Sequence, residues 1–319
     1  SYAEVAHAQL AQLARETGGG ETLYAVPSWY TREQLAVLLG VAREAGLPAV
    51  GLVDAALAAA ASEPVPGPVV QLELTQHRAV VTTLEHSGDL RRAGYELLAQ
   101  HGWQALQQAW LDMIATTFVR RTRFDPLHEA ESEQRLWDGL QGWLAALDRD
   151  AELQIELPVA GATLAVELNR ADFAAAASVI YDAVVHVLQR ARPAAGALHL
   201  RVSHRWMQLP GFADRLAELR SCEVVSLPRG AAALGALAFE RVLRRDPAQL
   251  TLVQRLPVPL AHADGGDAVQ SARVAAGDRP THVVHGGRAW ALGHTPLHVG
   301  ASVAAGVRSL PVAAGPGVS

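Results

Sequence analysis

Residues 135–173, RLWDGLQGWLAALDRDAELQIELPVAGATLAVELNRADF, decide how the rest of the chain is read. Leu136, Leu140, Trp143, Leu144 and Leu147 follow a 3.6-residue period, which predicts an amphipathic helix. The period then shortens to two: Leu153, Ile155 and Leu157, then Leu164, Val166 and Leu168, flank a turn at Gly161, so a β-hairpin follows. Asn169 is placed to cap the next, Ala-rich helix, whose first turn carries the acid Asp172.

Working outward, residues 2–17 carry a helical pattern and Gly18–Gly20 break it before a short strand at Leu23–Val26. Thr31 and Gln34 have capping-box spacing, and the helix they open stops at Gly46. A strand at Val50–Val53 ends on Asp54 and the Ala55–Ala61 tract. Glu63–Pro68 interrupts regular structure ahead of hairpin strands at Val69–Leu74 and Ala79–Leu84. Helices are predicted at 90–100, 103–121, 129–147, 171–191, 210–219 and 229–243, with strands at Leu198–Val202 and Val224–Leu227. After residue 245 Gly, Pro and His become frequent and short strands replace helical periodicity, with Thr281–Val284 and Ala289–Leu292 as candidates.

This succession resembles the ATPase domain of DnaK-type heat-shock chaperones, members of the actin-like ATPase superfamily. The resemblance covers about residues 2–243 and implies an α/β fold of ribonuclease H-like lobes: residues 1–64 as part of a first lobe and 65–245 as a second. The second would carry a helix and hairpin lid at 124–168, and 246–319 would form a β-rich module. In the family the lid helix carries a Glu, a Lys, an Arg and a Ser that hold adenine and ribose; the matching positions are Gln141, Leu144, Ala145 and Asp148. The family's phosphate hairpin, Asp-Leu-Gly-Gly-Gly-Thr, is matched by Glu73-Leu74-Thr75-Gln76-His77-Arg78, with every glycine replaced. Glycine matters there because backbone amides must approach phosphate oxygens without a Cβ in the way. The adenosine-side Gly-Gly turn is matched by His204-Arg205, ahead of Gln208-Leu209-Pro210.

What the resemblance retains is Asp54 at the position of the acid that orients the metal-bound water, Glu73 at that of the metal-linked acid, and Gly235 in Leu234-Gly235-Ala236. The family's first phosphate loop would precede Ser1. A charge-assisted hydrogen bond contributes about 1.5–3 kcal/mol, so losing several would weaken nucleotide binding by roughly three to six powers of ten. The expectation is a degenerate, non-catalytic member without cofactor that binds a protein partner or acts as a scaffold. The alternative is an active Mg-ATP hydrolase, with Asp54 and Glu73 catalytic and Thr75, Ser203, His204, Arg205 and Gly235 around the nucleotide. The missing strands of the first lobe would leave an exposed sheet edge open to a partner or a second copy.

Composition fits these expectations. The 319 residues are 50% apolar and 18% charged with a net charge of -5, which gives no basic surface for nucleic acid. Cys222 is the single cysteine, so the default is a reducing cytoplasm without a disulfide framework. No uncharged run reaches the length of a membrane span. A start at Ser1 and a stop at Gly315-Pro316-Gly317-Val318-Ser319 read as a fragment or processed product.

Several constellations have plainer readings. His282/His285 and His294/His298 have zinc-like spacing, but residues three apart on a strand point to opposite faces. Ser203-His204 with Asp214 lacks the strained elbow of a nucleophilic serine. Trp103, Trp110, Trp137 and Trp143 sit at helical spacings and read as packing residues, whereas Trp29 and Trp206 flank the cleft of the resemblance. Gly287–Gly300 resembles the opening of a forkhead-associated phosphopeptide-binding domain, with Ala301 where that family has its phosphate-contacting arginine.

Overall fold

In the computed structural model the described residues are 2–61, 65, 67–159, 161–193, 196–258 and the backbone of 282–285 and 288–291. The chain is mixed α/β, with sheets of mixed strand orientation. It divides into two units, Ser1–Leu260 and Ala261–Ser319.

The first unit opens with α1 (Tyr2–Thr17), β1 (Thr22–Val26), α2 (Arg32–Glu44), β2 (Ala49–Asp54) and α3 (Ala55–Ala60). Thr31 accepts from the Gln34 amide while the Gln34 side chain accepts from the Thr31 amide, so the predicted capping box starts α2. β1 and β2 run parallel. Among the described residues no strand pairs with the far edge of β1.

A second sheet begins with β3 (Gly67–Leu74), β4 (Arg78–His86) and β5 (Leu90–Ala99), an antiparallel meander. The helix expected at 90–100 is therefore a strand. Thr83 pairs with Gly94 and Leu84 with Arg92, which leaves Ala93 as an unpaired extra residue. A bulge shifts the side-chain alternation at that point, so the apolar residues lose their period of two and mimic a helical spacing.

Next come α4 (Trp103–Thr122), α5 (Ala130–Ala146), the hairpin β6 (Glu152–Val159) and β7 (Ala162–Asn169), then α6 (Arg170–Ala176) and α7 (Ser178–Arg190). Helix, hairpin and helix fall where residues 135–173 place them. Asn169 accepts from the amides of Ala171 and Asp172, and Asp172 accepts from the Asn169 amide. The single helix expected at 171–191 is two, meeting at 63° on either side of Ala177.

The unit continues with β8 (Leu198–Ser203), α8 (His204–Met207), α9 (Phe212–Ala217), β9 (Cys222–Leu227), α10 (Ala231–Ala238) and α11 (Glu240–Leu243). Beyond a 3-10 turn at Pro247–Gln249 lie β10 (Leu252–Val253) and β11 (Arg255–Leu256). β8 runs parallel to β3, and β9 to β8, giving the order β11-β5-β4-β3-β8-β9. β10 adds to β2 in the smaller sheet and β11 to β5 in the larger, so residues 252–256 belong to the first unit rather than to a separate module starting at 246.

The main core lies on one face of the large sheet, where Val70, Leu72 and Leu74 of β3 meet Trp110 and Phe118 of α4, Leu136 and Leu140 of α5, and Phe173. By strand alternation Val69, Gln71 and Glu73 turn to the opposite face. Val69 packs there with Leu57, Ala58 and Ala236 of α3 and α10, and Gln71 and Glu73 continue the row as polar residues. A further constraint seats the β3–β4 turn on the start of α4. A Cβ on Gly102 would lie 2.2 Å from the Arg78 amide nitrogen, and the Trp103 and Gln104 amides donate to the Thr75 and Gln76 carbonyls at 2.9 Å.

In the second unit, β12 (His282–His285) and β13 (Arg288–Ala291) form an antiparallel hairpin close to the two expected strands. The side chains of His282 and His285, together with His294, His298 and Ala301, lie outside what is described. No single helix among the described residues is long and apolar enough to cross a membrane.

Candidate polar cleft beside the β3–β4 turn

The turn matching the family's phosphate hairpin closes on itself. The Thr75 amide donates to the Arg78 carbonyl at 3.0 Å, the Thr75 hydroxyl donates to that carbonyl at 2.9 Å, and the Arg78 amide donates back to Thr75 Oγ1 at 3.3 Å. His77 Nδ1 lies 2.9 Å from Gln104 Oε1. The Arg78 guanidinium sits 6.0 Å from the centre of the half-buried Trp29 ring, within cation–π range. Side chains thus occupy the turn where the resemblance has glycines. Trp206, the other tryptophan expected at the cleft, is fully buried instead against Phe212 and Tyr181, with ring centres 4.5 and 6.4 Å away.

Glu73, on β3 before the turn, accepts from its neighbour's Leu74 amide at 3.2 Å and from Gln71 Nε2 at 3.3 Å. Burial pushes its carboxyl above the ordinary value, against the opposing pull of the Leu74 amide, Gln71, Ser203 and Arg205. Ser203 ends β8, and its buried hydroxyl lies beside that carboxyl without a partner in good hydrogen-bond geometry.

Asp54 is fully buried at the end of β2, and both of its oxygens are engaged. Oδ1 accepts from Ser28 Oγ at 3.0 Å and from the Ala56 and Leu57 amides at 3.0 and 3.2 Å; Oδ2 accepts from Arg92 at 3.1 Å. It is the N-cap of α3 and half of a buried ion pair. Desolvation nevertheless raises its pKa, outweighing the Ser28, Leu57, Arg92 and Ala56 contacts.

Gly235 lies inside α10, where a Cβ would sit 1.9 Å from the Ala58 carbonyl oxygen. Its missing side chain allows α10 to press on α3. It makes close helix packing possible.

α5 and the end of the large sheet line an open cleft of about 430 Å³. All four lid positions of the resemblance, Gln141, Leu144, Ala145 and Asp148, line it together with His204, Arg205 and Gln208. Gln76 of the turn, the half-buried Trp103 and Arg229 complete the wall. Arg229 and Trp103 escaped the reading of the sequence as cleft residues, Arg229 as a helix start and Trp103 as packing. The fold supplies the reason: β8 and β9 run parallel, and the segments after the C-terminal ends of such strands, here the start of α8 and Pro228–Arg229, are where α/β sheets place ligands.

The cleft wall carries two exposed arginines, Arg205 and Arg229, beside one carboxylate, Asp148. Burial first, then Arg229, then Arg205, push His204 below its ordinary value. Asp148 is tied to Arg170 at 2.9 Å. Among the described residues no carboxylate forms an ion pair with Arg205 or Arg229, and no group of three His, Cys, Asp or Glu is placed to hold a metal ion.

No known protein family matches this chain, and no curated protein matches it either.

Proposed function

We propose that the chain is a degenerate relative of the DnaK-type chaperone ATPases that does not hydrolyse ATP and serves as a protein-interaction or scaffold module. The observation that carries this reading is the β3–β4 turn: Thr75 and Arg78 close it with their own hydrogen bonds, and Arg78 is drawn onto Trp29. Phosphate binding by a turn needs free, convergent amides, and here two of the four are consumed internally. The antiparallel meander continued by parallel β8 and β9, with a helix and hairpin inserted between the two parts, supports the ancestry. So does the convergence of the four lid positions on one cavity.

The rival, active reading requires Asp54 to orient a metal-bound water. Its two oxygens already take four hydrogen bonds, and freeing them would strip the cap from α3 and the partner from Arg92. The edge of β1, unpaired among the described residues, supports a strand-pairing partner or a second copy. The test is calorimetric titration with Mg-ATP and Mg-ADP alongside a phosphate-release assay. The expected result is no turnover and no saturable binding below millimolar nucleotide; micromolar Mg-ATP binding or measurable hydrolysis overturns the proposal.

A further inference from the structure

We infer that the cavity between α5 and α8 is a binding site for a small organic anion, a phosphate- or carboxylate-bearing molecule held by His204, Arg205 and Arg229. The inference deepens the reading above by naming a ligand class for the cleft, and it rests on the view that this cleft no longer turns nucleotide over. Three observations carry it. Two arginines and a histidine, His204 and Arg205 from the start of α8 and Arg229 from the turn after β9, line one space of about 430 Å³, within the range of small-molecule pockets. Both arginines are exposed and, among the described residues, neither is ion-paired with a carboxylate, although Glu73 attracts Arg205; their guanidinium groups are therefore available to an anion. The rest of the wall suits a ligand with a neutral body: Gln76, Gln141 and Gln208 offer amides, and Trp103 and Leu144 offer apolar surface.

The carboxyl groups near the site do not substitute for a ligand. Glu73 attracts Arg205 but forms no ion pair with it, its carboxyl accepting from the Leu74 amide and Gln71, and Asp148 is held by Arg170. Anion binding and protonation of His204 therefore favour each other, since each removes repulsion that opposes the other. Because His204 is held below its ordinary value by burial, Arg229 and Arg205, this coupling strengthens the site as pH falls below that value.

The experiment uses the full chain with inorganic phosphate and citrate as probes, at ionic strength held constant with chloride, read by thermal shift and calorimetry. Two or three charge-assisted hydrogen bonds correspond to a midpoint on the order of 1 mM. Arg205→Gln and Arg229→Gln should each weaken binding about tenfold or more. His204→Gln should flatten the rise in affinity between about pH 8 and pH 5, whereas Glu73→Gln should leave that rise in place. A preference for phosphate over citrate, or the reverse, identifies the group recognised and supports the site either way. Three results overturn it: no saturable shift with either probe, unchanged binding in the Arg205→Gln/Arg229→Gln double variant with an unchanged melting profile, or adenosine binding as tightly as the anions. Mg-ATP turnover in the same sample would instead refute the non-catalytic reading, so the two failures are separable.

Discussion

Replacing Gly235 by Ala puts the packing of α10 on α3 to a direct test. The added Cβ would lie 1.9 Å from the Ala58 carbonyl oxygen and 2.6 Å from its carbon, both backbone atoms with no rotamer to yield. Relief requires one helix to move by more than an ångström. α3 resists, because Asp54 pins its first amides and Ala56–Ala60 are all buried. Overpacking of this kind costs about 1–3 kcal/mol or more, and the helix-propensity gain of Gly→Ala returns about 1 kcal/mol. With backbone atoms this close the cost falls toward the upper end of that range, so we expect a net loss of about 1–2 kcal/mol, which lowers the urea midpoint by roughly 0.5–1 M at a slope of about 2 kcal/mol/M. Gly142, inside α5, has nothing within 4 Å of its would-be Cβ. There the identical substitution should stabilise by up to about 1 kcal/mol. Paired urea melts followed by circular dichroism decide the matter: a Gly235→Ala chain as stable as wild type, or stabilised like Gly142→Ala, would refute the close-packing account of this glycine.

Arg92→Leu leaves Asp54 buried without its charge partner, and melts should show a loss of about 3–5 kcal/mol. Glu73 and Asp54 both have raised folded-state pKa values, so their contribution to stability is fully present below the unfolded carboxylate range and declines as pH rises through the raised values. Glu73→Gln should remove its share of that decline, measurable as a smaller fall in melting temperature between about pH 4 and pH 8 than in wild type. His86 is buried with Nδ1 2.9 Å from the Val65 carbonyl and Nε2 2.7 Å from the Val258 carbonyl. His86→Ala should therefore raise hydrogen exchange in 252–258 at least several-fold while leaving that of α4 unchanged.

Signals that act over a few residues were legible in the sequence. Thr31 with Gln34 and Asn169 with Asp172 form capping boxes because donor and acceptor lie three residues apart, whatever surrounds them. The change of period after Leu147 and the turn at Gly161 are local as well, and they placed helix, hairpin and helix in order. What depends on distant partners was not legible. β5 is a strand because β4 pairs with it across a bulge that disguises its period, and residues 252–256 are strands because β2 and β5 offer them open edges. Asp54 looked like a cleft acid until Arg92, from another sheet, and Ser28 were brought against it. Gly235 falls inside a predicted helix, and only the fold shows α3 pressed on it. Residue identity and short-range spacing set which elements form; only the folded chain decides which side chains from Gln76 to Arg229 share one cavity, because that proximity follows from sheet pairing across more than a hundred residues of sequence.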